Sequence, residues 1–442
     1  MQHLSMVMRS GYDIREITNF NAQGYRVMEG FYPNPGDTAT VTDRFDVYLT
    51  FATETELIDR VRTVELAIDF AKEHPSGPDG VWFYYSPDTD TLDPWRSRIL
   101  SGAVMHDDKL QRRFDIYEMK MEVVIERVAY FETLEPVDAD FGAGVVEVIE
   151  NHTDAAHNFW ATIPGVQVYG GLPTPAIIRV TNNTNDGKAI DNLYIGHFAQ
   201  SKPISDPAIL TLILEGSGTA DVNCSGGAYK VCPWLGATEN QLAYWSLPSE
   251  SLLQRYFKFA ARFRDVFAYT DLYLQIRIMH GNIVLAKTRW ELMTTGKELQ
   301  LIGSLKIPPF KHGTYVNLGN LTIALYEKRV GGNGTINLDY IALLPQDGWR
   351  KFSSISNLSY GEQLVDNPVD DIILSVYGAS YFHGASYIEA DVTHIAESGG
   401  PIMLRPDVDN MLCFLHDCTD GTAAIARASN VYISFHPRRR TV

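Results

Sequence analysis

The chain has 442 residues, 45% of them hydrophobic and 21% charged, with a formal net charge of −17. That make-up is globular, with material for roughly two to four domains. The acid excess argues against a nucleic-acid binder, whose phosphate contacts need a basic face, and no apolar run approaches the ~18 residues of a membrane span. Residues 1–15 lack the apolar core of a signal peptide, so synthesis in a cytoplasm is expected. Cys224, Cys232, Cys413 and Cys418 form no C-x-x-C pair and read as buried free thiols.

In chain order, residues 12–32 hold one or two short strands, and residues 44–51 largely alternate apolar with polar, the pattern of a strand. Residues 53–74 then predict the one long helix. Leu57, Val61, Val64, Ile68 and Ala71 recur at spacings of four and three and form one apolar stripe. Thr53 with Glu56 makes a capping box, and His74-Pro75 followed by Ser76-Gly77-Pro78 stops the helix. A strand at 81–85, a turn-rich loop at 86–94, a strand at 95–104 and a long strand over 114–131 complete the first block.

The order strand, helix, strand, strand, long strand, with Val81-Trp82-Phe83-Tyr84-Tyr85, Asp93-Pro94-Trp95-Arg96 and the closing Ile125-Glu126-Arg127-Val128-Ala129-Tyr130-Phe131-Glu132, resembles the tail-tube-related domain of distal or minor tail proteins of long-tailed bacteriophages. Residues 136–161 read as linker plus a strand at 145–149. The run Gly170-Gly171-Leu172-Pro173-Thr174-Pro175, a strand at 176–182, an Asn/Asp/Gly loop and a strand at 193–196 resemble the start of the galectin-like sandwich of the same family. Its end is similar to residues 402–440, where Asp407-Val408-Asp409 stands in place of the usual glycine turn and the run closes in the basic Arg438-Arg439-Arg440. The resemblance implies a ring-forming domain at 1–135, a galectin-like sandwich from 136–204 plus 351–442, and an insertion at 205–350. Consecutive β-domains are the simpler alternative.

Within 205–350, strands recur about every ten residues with polar turns between, the rhythm of a jelly roll. The close, Gly331 to Pro345, is similar to the last strand of carbohydrate-binding-module-like domains. That likeness implies a structural calcium at Asp339, with Glu215 or Asp221 as its earlier acidic partner. A lone strand aspartate is more often solvent-facing or turn-bonded. Sugar binding needs exposed aromatics beside polar groups. Trp234, Tyr244, Trp245 and Trp290 are the candidates, each weighed against a core or interface role. Asp407, Asp409 and Asn410 look like a short acidic loop but lack the rest of an EF-hand.

No G-x-S-x-G, H-E-x-x-H or phosphate-binding glycine loop occurs, so no enzyme is expected. The fold expected is mainly β: a tail-tube-like sandwich with one helix, then further sandwiches. The function implied by the resemblance is a structural protein of a virion tail. It would form a ring, a hexamer in the family, against a tail tube protein and a tail-tip or hub protein. Contact with host-surface glycan is the further implied partner, with no nucleic acid and no membrane insertion. A secreted multi-domain carbohydrate-binding protein or glycan-active accessory protein is the alternative.

Overall fold

The computed structural model describes residues 3–11, 13–27, 39–86, 95–106, 111–113, 116–142, 144–151, 159–200, 213–234, 238–247, 252–266, 268–309, 321–329, 331–353, 355, 358–377, 388–418 and 428–440. The loop expected at 86–94 lies, beyond Ser86, outside the described residues, as does most of the strand start expected at 210–214. The fold is mainly β, with one α-helix among the described residues.

That helix, Glu54–Glu73, begins where the sequence places it. Thr53 is extended, and its hydroxyl accepts from the Glu56 amide at 3.2 Å. Leu57, Val61, Val64, Ala67, Ile68 and Ala71 are buried. They pack on Val47, Leu49, Val81, Phe83, Ile99 and Val123 of an antiparallel sheet. The main path of this sheet runs Asp13–Asn19, His3–Ser10, Gly80–Ser86, Trp95–His106, Ile116–Val128, Thr40–Phe51, Tyr25–Val27. The closing strand is tied internally. Arg127 donates from Nε to Asp43 Oδ2 at 2.5 Å, both side chains are fully buried, and the guanidinium lies 4.3 Å over Phe131.

The other four sheets form a stack. The second sheet runs Val137–Asp138, Ser429–Phe435, Thr174–Asn182, Gln363–Asn367, Ile372–Tyr377, Ile388–Asp391. The third runs Trp160–Ile163, Asp409–Cys418, Ile190–Gln200, Gly348–Phe352, Ala396–Gly399. Both draw strands from either side of 205–345. The strands between form a fourth sheet (Thr219–Ala220, Ala228–Trp234, Gly334–Pro345, Tyr256–Phe263, Leu299–Lys306) and a fifth (Asn240–Ser246, Leu321–Arg329, Leu272–His280, Ile283–Lys287).

Three cores separate these layers. Leu193, Ile195, Leu412 and Phe414 of the third sheet face the second. Tyr194, Cys413 and Leu415, on its other side, meet Ala260, Tyr340, Ala342 and Leu344 of the fourth. Leu338, Ile341 and Leu343 face Ile276, Ile323 and Leu325 of the fifth. Side chains alternate sides along a strand, so the third and fourth sheets are covered on both faces and their strands carry unbroken apolar runs. The 205–350 segment therefore does not swing outward on a tether: one of its sheets is docked face to face. Lys297 adds ion pairs to Asp191 at 3.0 Å and Asp417 at 3.5 Å across that junction.

The last described strand, Arg438–Arg439, leaves the stack and pairs with Phe131–Thr133 of the N-terminal sheet. Glu132, 5% exposed, takes Arg96 on one side at 3.2 Å and Arg438 on the other at 3.1 Å. Arg438 lies 4.0 Å over Tyr130, and Arg439 lies 3.6 Å over Trp95. The basic tail of the sequence is thus spent on an internal joint.

Candidate functional site

Asp339 was the expected calcium ligand, and the donor set does not fit one. It is fully buried, and Arg262 Nη1 donates to its Oδ2. Arg262 also donates to Glu298 Oε2 at 3.0 and 3.3 Å and to Asn223 O at 3.1 Å. A fixed guanidinium therefore supplies the positive charge a metal would bring. Burial pushes the Asp339 carboxyl up to about 7, against the pull of Arg262. Of the two suggested partners, Glu215 accepts from Ser225 Oγ at 2.8 Å and Asp221 pairs with Arg264 at 2.5 Å. Two buried carboxylate oxygens here, Asp339 Oδ1 and Glu215 Oε2, lack a hydrogen bond, where calcium takes about six to eight oxygens. Among the described residues no three acid, histidine or cysteine side chains converge as ligands.

The acidic loop near 407 is a turn. Asp407 adopts φ +59°, the conformation a glycine would take there. Asn410 holds the loop closed: its Oδ1 accepts from Arg405 N at 2.8 Å, and its Nδ2 donates to Arg405 O at 2.9 Å and Val408 O at 2.8 Å. Asp409 Oδ1 caps the amide of Gly165 at 3.0 Å.

The four aromatic candidates separate by face. Trp234 is 1% exposed, edge-on to Tyr269 at 4.9 Å, and wedged against Gly334, where a Cβ would sit 2.1 Å from its ring. It is a core residue and offers no face to a sugar. Trp245 points inward too; it packs on the same core and its indole N–H donates to Glu215 O at 2.9 Å. Both are corrected to structural roles. Tyr244, 62% exposed, and Trp290, half-buried beside Arg277, lie on the outer side of the fifth sheet.

Strand register places further groups beside them. Tyr244 pairs with Ala324, Ala324 with Arg277, and Arg277 with Lys287, so one row crosses all four strands. In the next row Gln241 pairs with Tyr326 and Tyr326 with Gln275. The Tyr326 hydroxyl donates to Gln241 Oε1 at 2.8 Å. The Arg277 guanidinium lies 3.9 Å from the Tyr326 ring centroid and 5.6 Å from that of Trp290. It is fixed there by Gln275 Oε1 at 2.7 Å and Glu239 Oε2 at 2.6 Å. That hydrogen bond holds Glu239 below the usual carboxylate range, and the charges of Arg277, Lys328 and Lys287 add to it.

The arrangement sets two half-buried rings around one cation, edged by hydrogen-bonding groups. Such a surface stacks on the apolar side of a sugar ring while polar groups meet its hydroxyls. Tyr326 and Arg277 were not singled out in the sequence. The signal was there in Thr322, Tyr326 and Lys328, spaced by even numbers of residues, against buried Leu321, Ile323 and Leu325.

A second exposed feature lies on the N-terminal sheet. Strand Asp13–Asn19 ends the main path of the N-terminal sheet. Beside the helix it borders a groove of about 830 Å3 lined by Met8, Ile17, Leu66, Ala67 and Phe70, with Arg15 and Glu16. Ile14, Ile58 and Leu66 are 64%, 50% and 58% exposed.

No family model matches the chain, and no curated protein matches it. Solved structures that overlap it include an infectious bursal disease virus Gx strain structure, at 7% identity and TM-score 0.16, covering 68% of this chain and 79% of that one. The VP2 subviral particle of the same virus overlaps at 9% identity and TM-score 0.16, covering 99% and 80%. The mycobacterial arabinofuranosyltransferase AftD overlaps at 10% identity and TM-score 0.17, covering 78% of this chain and 32% of that one. Overlaps this loose carry no argument about fold or function.

Proposed function

We propose that the chain is a structural, non-catalytic protein of a virion tail, of the distal tail type. The N-terminal block assembles copies into a ring on a tail tube protein and a tail-tip or hub protein, and the outer face of the fifth sheet meets glycan on the host surface. The observation that carries the ring is the strand edge at Asp13–Asn19 beside a groove rimmed by exposed Ile14 and Leu66. An unpaired edge next to apolar surface is where a neighbouring copy adds a strand. A different surface of that copy must meet it, which gives a head-to-tail contact that closes into a ring. A stack of layered sheets then holds the aromatic face away from that contact.

Light scattering on the purified chain and negative-stain images test this. The expected result is a closed ring, a hexamer by the resemblance, with a central channel. A monomer at every concentration tried overturns the ring and leaves the carbohydrate-binding alternative.

A further inference from the structure

The outer face of the fifth sheet also carries charge opposite to the rest of the chain. The protein as a whole is −17. On this face Arg277, Lys287 and Lys328 stand around one carboxylate, Glu239, which Arg277 already engages. Lys287 follows Arg277 across the sheet, and Lys328 lies two residues beyond Tyr326 on the same side of its strand. Both lysines are exposed, and neither has a salt-bridge partner among the described residues. Screening in physiological salt cuts off charges beyond about 8–10 Å, so a ligand at this face meets these cations before it senses the acid excess elsewhere.

Spacing narrows the ligand. Lys287 and Lys328 lie two strands apart and four residues apart in register. By strand geometry this is about 10 Å across and about 13 Å along, or on the order of 16 Å between their Cα positions. A single anionic sugar centred on the rings does not engage both at full strength, whereas a chain with repeated charges does. Between the lysines sit the Tyr326 and Trp290 rings, which ask for sugar rather than bare anion.

We infer that this face binds an anionic polysaccharide, with sugar rings on Tyr326 and Trp290 and acidic groups of successive units at Lys287 and Lys328. The inference rests on the proposed glycan contact and specifies its ligand class. The acid could be carboxylate, sulfate or phosphate; the shared chemistry is a negatively charged glycan chain.

The test uses the full-length chain and three probes of similar length: a polyuronate, neutral dextran and inorganic polyphosphate, with binding followed by interferometry at low and high salt. Polyuronate should bind, roughly 10-fold or more tighter than dextran, and weaken as salt rises. Lys287→Gln with Lys328→Gln should lose roughly 5-fold, as two exposed ionic contacts predict. Tyr326→Ala should lose roughly 10-fold, and Tyr326→Phe, which keeps the ring, should stay within about 2-fold. Dextran binding as tightly as polyuronate, with the same loss in Tyr326→Ala, overturns the anionic ligand and leaves the glycan contact standing. Polyphosphate binding as tightly, with no loss in Tyr326→Ala or Trp290→Ala, overturns the sugar. No binding of any probe overturns both readings of the face, while ring formation is scored separately by light scattering.

Discussion

The third and fifth sheets are built from strands of similar length and opposite surroundings. Along Asp409–Cys418 every residue after the first is buried. Along Leu321–Arg329 the strand alternates except at Ala324, which is covered: Leu321, Ile323 and Leu325 lie inside, and Thr322, Tyr326 and Lys328 reach out. The first strand has a partner layer on each side; the second has one. A strand covered twice is free to specify only packing, while a strand covered once keeps a row of positions available for recognition. The candidate site falls on the second kind.

A charge introduced into the doubly covered layer is the hardest test of that contrast. Leu415→Asp puts an unpaired carboxylate between the third and fourth sheets, where Leu415 is fully buried. The expected loss exceeds about 4 kcal/mol, enough to abolish soluble expression; a well-folded variant would show the layers are not in contact. By the same contacts, residues 205–350 expressed alone expose Ala260, Ala342 and Leu344. That fragment should aggregate or bind a hydrophobic dye strongly, and a soluble, dye-silent monomer would show that the fourth sheet needs no cover.

Smaller losses are expected where a buried charge loses its partner. Arg127→Met removes the buried guanidinium that Asp43 faces inside the N-terminal sheet and should cost about 3–5 kcal/mol in urea unfolding. His197 gives a graded test of the third sheet. It is buried, bonded to Asn410 at 3.0 Å, and burial pulls its pKa down from 6.5 to about 4. The unfolded chain therefore takes up a proton first. Stability from this group is complete above about pH 6.5 and falls as pH drops toward 4, by up to about 3 kcal/mol. His197→Gln should flatten that part of the stability–pH curve; an unchanged slope would assign the acid sensitivity elsewhere. On the open face the effect should nearly vanish: Tyr244→Ala, at 62% exposure, should stay within about 0.5 kcal/mol of the parent.

Sequence periodicity reached the helix in detail, because a stripe at spacings of three and four admits one buried side and Thr53 has the hydroxyl its cap requires. It reached the strands and the β class for the same reason. It could not sort the aromatics, because a tryptophan in a strand reads alike whichever way it points; register across neighbours decides, and register is a tertiary fact. Trp234 and Tyr244 show this, one sealed by Gly334 and the other open. Asp339 shows the reach of the problem: its partner Arg262 is 77 residues away. The double cover did leave a trace. Runs such as Tyr340 to Leu344 and Met411 to Leu415 do not alternate, and that is the mark of a strand between two layers.

The pairing of Arg438–Arg439 with Phe131–Thr133 changes how load passes through the molecule. The chain crosses once from the N-terminal sheet to the stack after Thr133, and the returning strand crosses back beside it. The two crossings act in parallel, locked by Glu132 between Arg96 and Arg438. Arg9 and Asp370, 3.4 Å apart, add a lateral stay. Tension applied between the fifth sheet and the N-terminal sheet is shared by two strands, and the joint resists bending as well as stretching.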